Sequence, residues 1–372
     1  MALLWMDGFD AYGADGVAVD ALLAASGYTL VGTSGQAASP AAACSANTRD
    51  GVGFSLNTNS WHTGYSGGIM RSFPLNTGIV VGFAVFITAS EFTSICQFGY
   101  NNLLGSLFDN CRLFYNLEGG ITATDGSHID GTNPPTTDTP PWGAGNLLAA
   151  SPANVLFPGV WQYIEVYYSP TGTLQVKVDG AMVINITGAV STMGVPQSIN
   201  YVSFLNEAPN AYVLIDDFYI CDLTGSTFNN FLGDVVVHAI FPISDATPNQ
   251  WTQFGGSSGH FTCVDDNPAP DDDTSYLSSD TSGQQELFNI ATFPSDVIDV
   301  LAVSVNIRAR KDTAGYAFYN ANLLSASVDG VTGPIPTNMA YSCSQSVYEL
   351  APGGGAWTTV AAQAAQIGFN IP

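Results

Sequence analysis

The chain has 372 residues, of which 46 % are hydrophobic and only 10 % are charged, so it is long enough for two domains with apolar cores. Seven basic residues against 31 acidic ones give a formal net charge of −24 at pH 7. Nucleic-acid binding requires lysine and arginine to displace counterions from phosphates. This balance therefore argues against a nucleic-acid partner and against an anionic membrane surface.

The first residues, MALLWMDGFDAYG, lack the basic region and apolar core of a signal peptide, so none is expected. The most apolar window, residues 78–89, is too short to span a bilayer and predicts a buried strand instead. We therefore expect a chain that is made in a cytosol and does not insert into a membrane.

The six cysteines contain no Cys-x-x-Cys pair, which argues against zinc and iron–sulfur sites. We expect reduced, mostly buried thiols. A disulfide between Cys96 and Cys111 across a hairpin, formed after release into an oxidising medium, is the alternative, and the sequence does not decide between the two.

Apolar and polar residues alternate with a period of two along most of the first 222 residues, which predicts β-strands. Residues 126–145 contain four prolines and predict a long surface loop. Residues 161–188 predict a three-stranded meander, in which Leu174, Val176 and Val178 share the apolar face. Residues 199–206 and 211–222 are apolar on both sides and predict central strands of packed sheets.

A second series of strands is predicted at 234–242, 300–312 and 322–333, and at the C-terminus. The one predicted helix is short and lies around 358–366, where alanine is dense. We therefore predict an all-β fold of two β-sandwich domains, with residues 1–222 and 234–372 joined by a linker at 223–233. In this interpretation Phe218 and Ile220 pack inward just before the chain leaves the first domain.

The first domain resembles a known fold through W-x-Y-I-E-V followed by G-x-L-x-V-x-V-D-G. This pattern is similar to the concanavalin A-like (laminin G-like) jelly roll, which legume lectins share with many glucanases. Those glucanases use a Glu-x-Asp-x-x-Glu strand, but no glutamate here is followed by aspartate two residues later. Adjacent Asp216 and Asp217 would point to opposite faces of a regular strand. The resemblance therefore implies the fold without the glucanase carboxylates.

The segment GGSSG at 255–259, with His260 beside it, matches the G-x-S-x-G pattern of serine hydrolases. A nucleophile elbow needs a helix after the serine, whereas the following residues, HFTCVDD, predict a strand. With no convergent catalytic set, we expect that the chain is not an enzyme.

Two acidic groups have the oxygen donors that Ca²⁺ prefers. One is the strand end with Asp216 and Asp217, and the other is the acidic segment with Asp271, Asp272 and Asp273. A solvated acidic turn is the alternative for the second group. Calcium is the one cofactor that the sequence suggests.

Exposed aromatic side chains stack on sugars, so the tryptophans are candidates for carbohydrate binding. Trp142 lies in the proline-rich loop and is the one predicted to be exposed, whereas Trp161, Trp251 and Trp357 begin or end strand-like segments. The sequence therefore names Trp142 as its candidate carbohydrate-binding residue.

Residues 215–288 have a more particular order of motifs: IDDFYICDLTGS, FLGD, a Pro-x-x-Asp turn, QWT, DDDTSY and a final LF. This order, with the opening LLWMDGFDAYG, resembles a family of tailed-bacteriophage virion proteins. His260 and Cys263 stand where valine and glutamate are commoner in that family, which weakens the transfer of any metal site.

The resemblance implies a non-enzymatic building block of the virion. The negative charge favours the outer surface, away from packaged DNA, and hence a capsid decoration or head-fibre protein. The alternative is a tail or baseplate adsorption protein that binds host-surface carbohydrate. The expected partners are the major capsid or tail proteins. A homo-oligomer is also expected, and a trimer is one form that virion jelly rolls take.

Overall fold

The computed structural model describes residues 2–16, 19–32, 42–51, 53–58, 67–88, 93–101, 107–125, 147–188, 198–206, 212–267 and 269–372. The chain divides into two compact units, Met1–Val237 and His238–Pro372.

The first unit consists of strands and one short helix, α1 (Asp20–Ala25). The strands described are β1 (Leu3–Asp7), β2 (Tyr28–Gly32), β3 (Ala42–Ser45), β4 (Ser55–Thr58), β5 (Gly67–Asn76), β6 (Ile79–Ile87), β7 (Thr93–Asn101), β8 (Leu107–Tyr115), β9 (Ile121–Thr124), β10 (Leu147–Ala150), β11 (Trp161–Ser169), β12 (Thr173–Val178), β13 (Ala181–Thr187), β14 (Ile199–Asn206) and β15 (Val213–Asp222).

These strands form two antiparallel sheets. The eight-stranded sheet has the order β13-β12-β11-β6-β15-β4-β3, with β1 paired to β15, and the seven-stranded sheet has the order β10-β9-β8-β7-β14-β5-β2. The ring of Phe204 lies edge-on to those of Phe83 and Phe218, with both centroid distances 5.0 Å. One apolar core therefore joins the two sheets. The predicted concanavalin-like β-sandwich is confirmed.

The predicted meander is present as β11, β12 and β13. Leu174, Val176 and Val178 are all buried in the core, as expected from their spacing. Their partners on β11 are the core residues Tyr168, Val166 and Ile164, respectively. The alternate positions of β11, which include Tyr163 and Glu165, therefore point to the outer face of the sheet.

The outer face of the eight-stranded sheet is covered in its centre by residues 223–237, which we call the strap. The hydroxyl of Tyr219 donates to Oε1 of Glu165 (2.7 Å), which also accepts from the backbone N–H of Gly233 (2.8 Å). A side chain at Gly82, one strand away, would overlap the ring of Tyr219. The residues predicted as a linker therefore pack against the first unit.

The expected strand at 234–242 is wrong for most of its length. Residues 234–241 form no strand, and the first strand of the second unit begins at Pro242. The backbone N–H of Val237 instead donates to Oδ1 of Asp217 (2.8 Å). A side-chain partner replaces a sheet partner here, so the apolar run DVVV does not become a strand.

The second unit is smaller and also mostly β. Its strands are β16 (Pro242–Asn249), β17 (Thr252–Phe254), β18 (Tyr276–Ser278), β19 (Gln285–Ile290), β20 (Val303–Ala309), β21 (Phe318–Ser325), β22 (Val328–Pro336), β23 (Ser342–Tyr348) and β24 (Gln366–Asn370), and its helix is α2 (Thr359–Gln363). They form a five-stranded sheet, β16-β19-β24-β21-β22, and the pairs β17-β18 and β20-β23.

The core of the second unit contains Val305 from β20, Leu323 from β21 and Trp357, whose indole N–H donates to the carbonyl of Tyr348 (2.9 Å). The predicted strand at 300–312 is confirmed over Val303–Ala309, in which Val303, Val305 and Ile307 pack in the core, whereas Leu301 lies before the strand and is 39 % exposed. The predicted helix is also confirmed. Helix α2 begins after Thr358, whose side chain accepts from the N–H of Ala361 (3.1 Å). Of the six cysteines, all except Cys343 are buried. Within the described residues, no helix has the length and apolarity to span a membrane.

Candidate functional site

The acidic pair in β15 lies at an irregularity of the strand. The pairing with β6 shifts between Asp216 and Tyr219, and Asp217 has a φ of 51°. Ile215 and Phe218 both enter the core although they are three residues apart. The expectation that the two carboxylates point to opposite faces is therefore wrong, because a β-bulge turns both away from the core.

Both carboxylates of the pair contact Arg49. Nη1 of Arg49 lies 3.2 Å from Oδ2 of Asp217 and donates to the carbonyl of Val235 (3.0 Å), and its Nη2 donates to Asp234 of the strap. Its guanidinium also lies over the ring of Tyr163, 4.8 Å from the centroid. Arg49 thus links the acidic pair to the strap, and these contacts stabilise the fold.

Burial changes the acidity of this pair. Burial raises the pKa of Asp216 to about 9, and the neighbouring charge of Asp217 adds to this shift. Burial also raises the pKa of Asp217 to about 6, against the opposing effects of the Val237 N–H and of Arg49. Burial therefore disfavours the ionised form of both carboxyls.

The acidic segment in the second unit is bound by arginines. Asp272 accepts from Nε (2.6 Å) and Nη2 (2.8 Å) of Arg308 in a bidentate pair, and Asp273 accepts from Nη2 of Arg310 (2.8 Å). Asp271 accepts from the hydroxyl and the backbone N–H of Ser275. These contacts occupy the oxygens that a metal ion would need.

No group of three or more histidine, cysteine, aspartate or glutamate side chains in the described part of the chain is arranged to hold a metal ion. The two acidic groups also belong to different units. The arrangement gives no support to the calcium hypothesis at Asp216, Asp217, Asp271, Asp272 and Asp273. Trp142, the candidate for sugar stacking, lies outside the described residues.

The G-x-S-x-G segment does not form a nucleophile elbow. The residues after it, His260–Cys263, form a 3₁₀ helix in place of the expected strand. Ser257 and Ser258 are exposed, whereas Nδ1 of His260 lies 3.0 Å from Oε2 of the fully buried Glu286. Glu286 also accepts from the backbone N–H groups of residues 250 and 251. The histidine therefore helps to hold a buried carboxylate in place.

The outer face of the seven-stranded sheet presents a row of polar side chains that sequence reasoning missed. Four residues on neighbouring strands lie directly opposite one another in the order Thr124 on β9, Arg112 on β8, Gln97 on β7 and Ser203 on β14. We call these four residues the polar row. The row points away from the core, because the residues flanking its members along β7, β8 and β14 lie in the core.

Hydrogen bonds connect the polar row. The amide of Gln97 is oriented with its oxygen toward Arg112 and its nitrogen toward Ser203. The oxygen accepts from Nε of Arg112 at 2.7 Å, and the nitrogen lies 3.3 Å from Oγ of Ser203. The guanidinium of Arg112 lies 5.4 Å from the centroid of Phe114, and Tyr201 shares the face. Donors, acceptors and two aromatic rings are thus combined on one sheet face.

The polar row is buried, with Arg112 only 4 % exposed and Gln97 and Ser203 each 2 % exposed. Arginine is almost never this buried in proteins without partners, and burying a polar group costs free energy unless its hydrogen bonds are made. The sequence contained one indication of the row, since Arg112 is one of only seven basic residues and lies between two apolar residues of a strand. The same pattern is typical of a solvent-exposed sheet face, so it does not distinguish a buried polar row from ordinary surface residues.

Comparison with solved structures gives many matches, and the three described below are partial and of low identity. A galectin-like protein of unknown function from Bacillus subtilis is 10 % identical, with 60 % of this chain and 96 % of that chain covered and a TM-score of 0.39. An endo-β-1,4-glucuronan lyase from Trichoderma reesei is 13 % identical, with 51 % and 87 % covered and a TM-score of 0.36. No family model matches the chain, and no curated protein matches it.

A sialidase from Trypanosoma rangeli is also similar, with 12 % identity and a TM-score of 0.32 over 46 % of this chain. The matched part spans about a quarter of the sialidase (25 %). At such identities the likeness concerns the fold alone.

The comparisons correct one expectation. The similar structures include a sialidase, a glucuronan lyase and an alginate lyase. The statement that the chain is not an enzyme is withdrawn, and no reaction is assigned in its place.

Proposed function

We propose that this chain is a structural protein of a tailed-bacteriophage virion, and that its first β-sandwich binds host-surface carbohydrate at the polar row. The order of motifs in residues 215–288 supports the virion assignment. The observation that supports carbohydrate binding is the line of Arg112, Gln97 and Ser203 across three strands of one sheet face.

The chemistry of the row suits a sugar. Hydroxyl groups of a saccharide both donate and accept, and binding sites for them combine a few placed polar groups with aromatic surface. The amide of Gln97 offers a donor and an acceptor, and Arg112 offers up to five N–H donors. Phe114 lies beside Arg112 and supplies a ring on which the apolar side of a sugar can stack.

The burial of the row sets a condition on binding. With Arg112 only 4 % exposed, a saccharide contacts these side chains only after they become exposed. Binding then exchanges one set of hydrogen bonds for another, so its net free energy is smaller than the contacts alone would give. We therefore expect modest affinity for one site, which many copies on a virion would strengthen by avidity.

A second candidate function is decoration of the capsid surface. The net charge of −24 favours it, because self-repulsion keeps a repeated outer surface soluble and a negative chain is repelled by packaged DNA. The two candidates are separable, because decoration requires stoichiometric binding to capsids that lack the protein and adsorption requires binding to host polysaccharide.

The test uses the purified full chain on an array of bacterial surface polysaccharides. The proposal predicts binding to a subset of glycans, with weaker binding in Ser203→Ala and Gln97→Ala and normal binding in Gln175→Ala, a control at a half-buried position on β12 of the other sheet. The same glycans are then incubated with the protein and analysed for shortened products, which would add a reaction to the binding. Absence of binding across the array, together with stoichiometric binding to capsids, would leave decoration as the function.

A further inference from the structure

The outer face of the five-stranded sheet in the second unit also carries a line of polar side chains. Gln285 on β19, Asn370 on β24 and Asn320 on β21 lie directly opposite one another across three neighbouring strands. Ala321, which follows Asn320 along β21, lies in the core, so the three amides point to the opposite side of the sheet. We call Gln285, Asn370 and Asn320 the amide row.

The amide row is ordered and partly open to solvent. Nδ2 of Asn320 donates to Oδ1 of Asn370 (3.3 Å), and Nε2 of Gln285 donates to Oδ2 of Asp329 on β22 (3.3 Å). Asn320 is buried, Gln285 and Asn370 are half-buried, and Asp329 is exposed. Each amide has two N–H donors and an acceptor oxygen. The row therefore matches a ligand whose groups both donate and accept, as hydroxyl groups do.

Two exposed aromatic rings continue this face at the start of β21. Phe318 lies two residues before Asn320, with the buried Tyr319 between them, and so belongs to the outer face. Phe318 is 38 % exposed and Tyr316 is 96 % exposed. The two rings are almost parallel, with an interplanar angle of 10° and centroids 6.4 Å apart. We call Tyr316 and Phe318 the aromatic platform.

Hydrogen bonds hold the chain on both sides of Tyr316. The carbonyl of Gly315 accepts from the ammonium of Lys311, and the carbonyl of Ala317 accepts from the backbone N–H of Thr337 (3.0 Å). A ligand that lies on the ring therefore pays little for ordering the backbone beneath it. Exposed apolar surface of this kind, rimmed by polar residues, is typical of a binding site.

The charge of the sheet selects among ligands. Its five strands contain Asp245, Glu286 and Asp329 but no lysine, arginine or histidine. An anionic ligand, such as a phosphate or a uronic acid, would therefore be repelled. A neutral sugar is not repelled, and its ring has an apolar side for the aromatic platform and a rim of hydroxyl groups for the amide row.

We propose that the aromatic platform and the amide row together form a binding site for a neutral saccharide. This site lies in the second unit, whereas the polar row lies in the first. It uses exposed rings and half-buried amides, so it does not depend on carbohydrate binding at the polar row.

The experiment measures binding of the purified full chain to neutral and acidic glycans on an array, followed by titration calorimetry with the glycans that bind. The proposal predicts that neutral glycans bind, and that Tyr316→Ala/Phe318→Ala weakens this binding by about tenfold or more because the contacts of two rings are lost. Tyr316→Trp keeps a ring and should retain binding, whereas Tyr316→Leu should weaken it. The matched control is Val360→Ala, at an apolar position of the same unit that is 81 % exposed, and it should bind normally.

A variant of the polar row separates the two sites. Ser203→Ala should leave binding at the aromatic platform unchanged, so a glycan whose affinity falls only in Ser203→Ala is bound by the polar row. Circular dichroism checks that each variant is folded. Two results would overturn the proposal: binding of no neutral glycan, or unchanged affinity for every bound neutral glycan in the folded Tyr316→Ala/Phe318→Ala variant. Full affinity in Tyr316→Leu would also overturn it, because an apolar contact would then suffice without a ring.

Discussion

Nε of Arg112 donates a hydrogen bond to the side-chain oxygen of Gln97 at 2.7 Å, from one strand of the seven-stranded sheet to the next. The bond joins two polar side chains that are almost fully buried on the outer face of the sheet. Such a pair stabilises the local structure only while its remaining donors and acceptors also have partners. A saccharide offers hydrogen-bond donors and acceptors of the same kind, which is the basis of the proposed carbohydrate site.

The first prediction concerns Ser203 at the end of the row. Ser203→Ala removes one hydroxyl that lies 3.3 Å from the Gln97 amide, so we expect saccharide affinity to fall by about fivefold, the effect of roughly 1 kcal/mol for one hydrogen bond. Titration calorimetry with a glycan identified on the array measures this. Unchanged affinity in a correctly folded variant would show that the sugar binds elsewhere.

The second prediction concerns the packing beneath Tyr219. Gly82→Ala places a methyl group against the tyrosine ring, in the middle of a buried strand where neighbours cannot move without cost, so the first unit should lose roughly 1–3 kcal/mol of stability. Gly172→Ala is the matched control, because nothing lies within 4 Å of its added carbon. Calorimetry should show a lower unfolding temperature for Gly82→Ala and an unchanged one for Gly172→Ala. Equal unfolding temperatures for the two variants would contradict the packing described.

The third prediction concerns the bond between Arg49 and the acidic pair. Arg49→Met leaves Asp217, with its side chain 4 % exposed, without its cation, and breaking such a buried pair costs roughly 3 kcal/mol. Arg310→Met breaks an ion pair whose aspartate is 67 % exposed, and such a pair contributes little to stability because solvent screens it. Chemical unfolding of both variants compares the two losses. A loss for Arg49→Met no larger than for Arg310→Met would mean that the strap is held by other contacts.

The fourth prediction concerns pH. The folded-state pKa of Asp216, about 9, lies above the ordinary value of 3.8 for an aspartate, so the folded protein holds this proton more tightly than the unfolded chain does. The contribution of this proton to the free energy of unfolding is fully present below about pH 4 and is lost as the pH rises through 9. The pKa of Asp217 is raised to about 6. This carboxyl therefore also lowers the free energy of unfolding as the pH rises, but over a lower pH range.

Asp216→Asn keeps the shape of the side chain but removes its ionisation. We expect unfolding temperatures close to the natural chain at pH 5 and higher than the natural chain at pH 9. Asp280→Asn, at an exposed position of the second unit, controls for the loss of one negative charge. If the two variants behave alike at pH 9, the carboxyl of Asp216 is not the group that titrates.

Much of the fold could be predicted from the sequence because alternation directly reports which side chains face a core. The meander at 161–188 and the strands at 199–206 and 213–222 follow from this rule. The bulge at Asp216 and Asp217 could not be predicted, because one extra residue changes the facing of neighbours without altering composition. The short helix α1 was missed because six residues give too little periodicity.

The strap and the polar row were missed for a common physical reason. Glu165, Tyr219 and Arg112 alternate with core residues and therefore resemble solvent-facing positions. Only the structure reveals that Gly233 donates to Glu165 and that Gln97 accepts from Arg112. Contacts on the outer face of a sheet come from residues that are distant in sequence. A local pattern of apolar and polar residues contains no information about them.

The most direct measurement is an experimental structure of the full chain bound to an oligosaccharide selected on the array. The account predicts that the sugar lies on the outer face of the seven-stranded sheet, with hydroxyl groups within hydrogen-bond distance of Gln97, Arg112 or Ser203. The account would be contradicted by a sugar bound at another surface, such as the shallow cleft lined by Leu117 and Phe157, while the polar row stays buried.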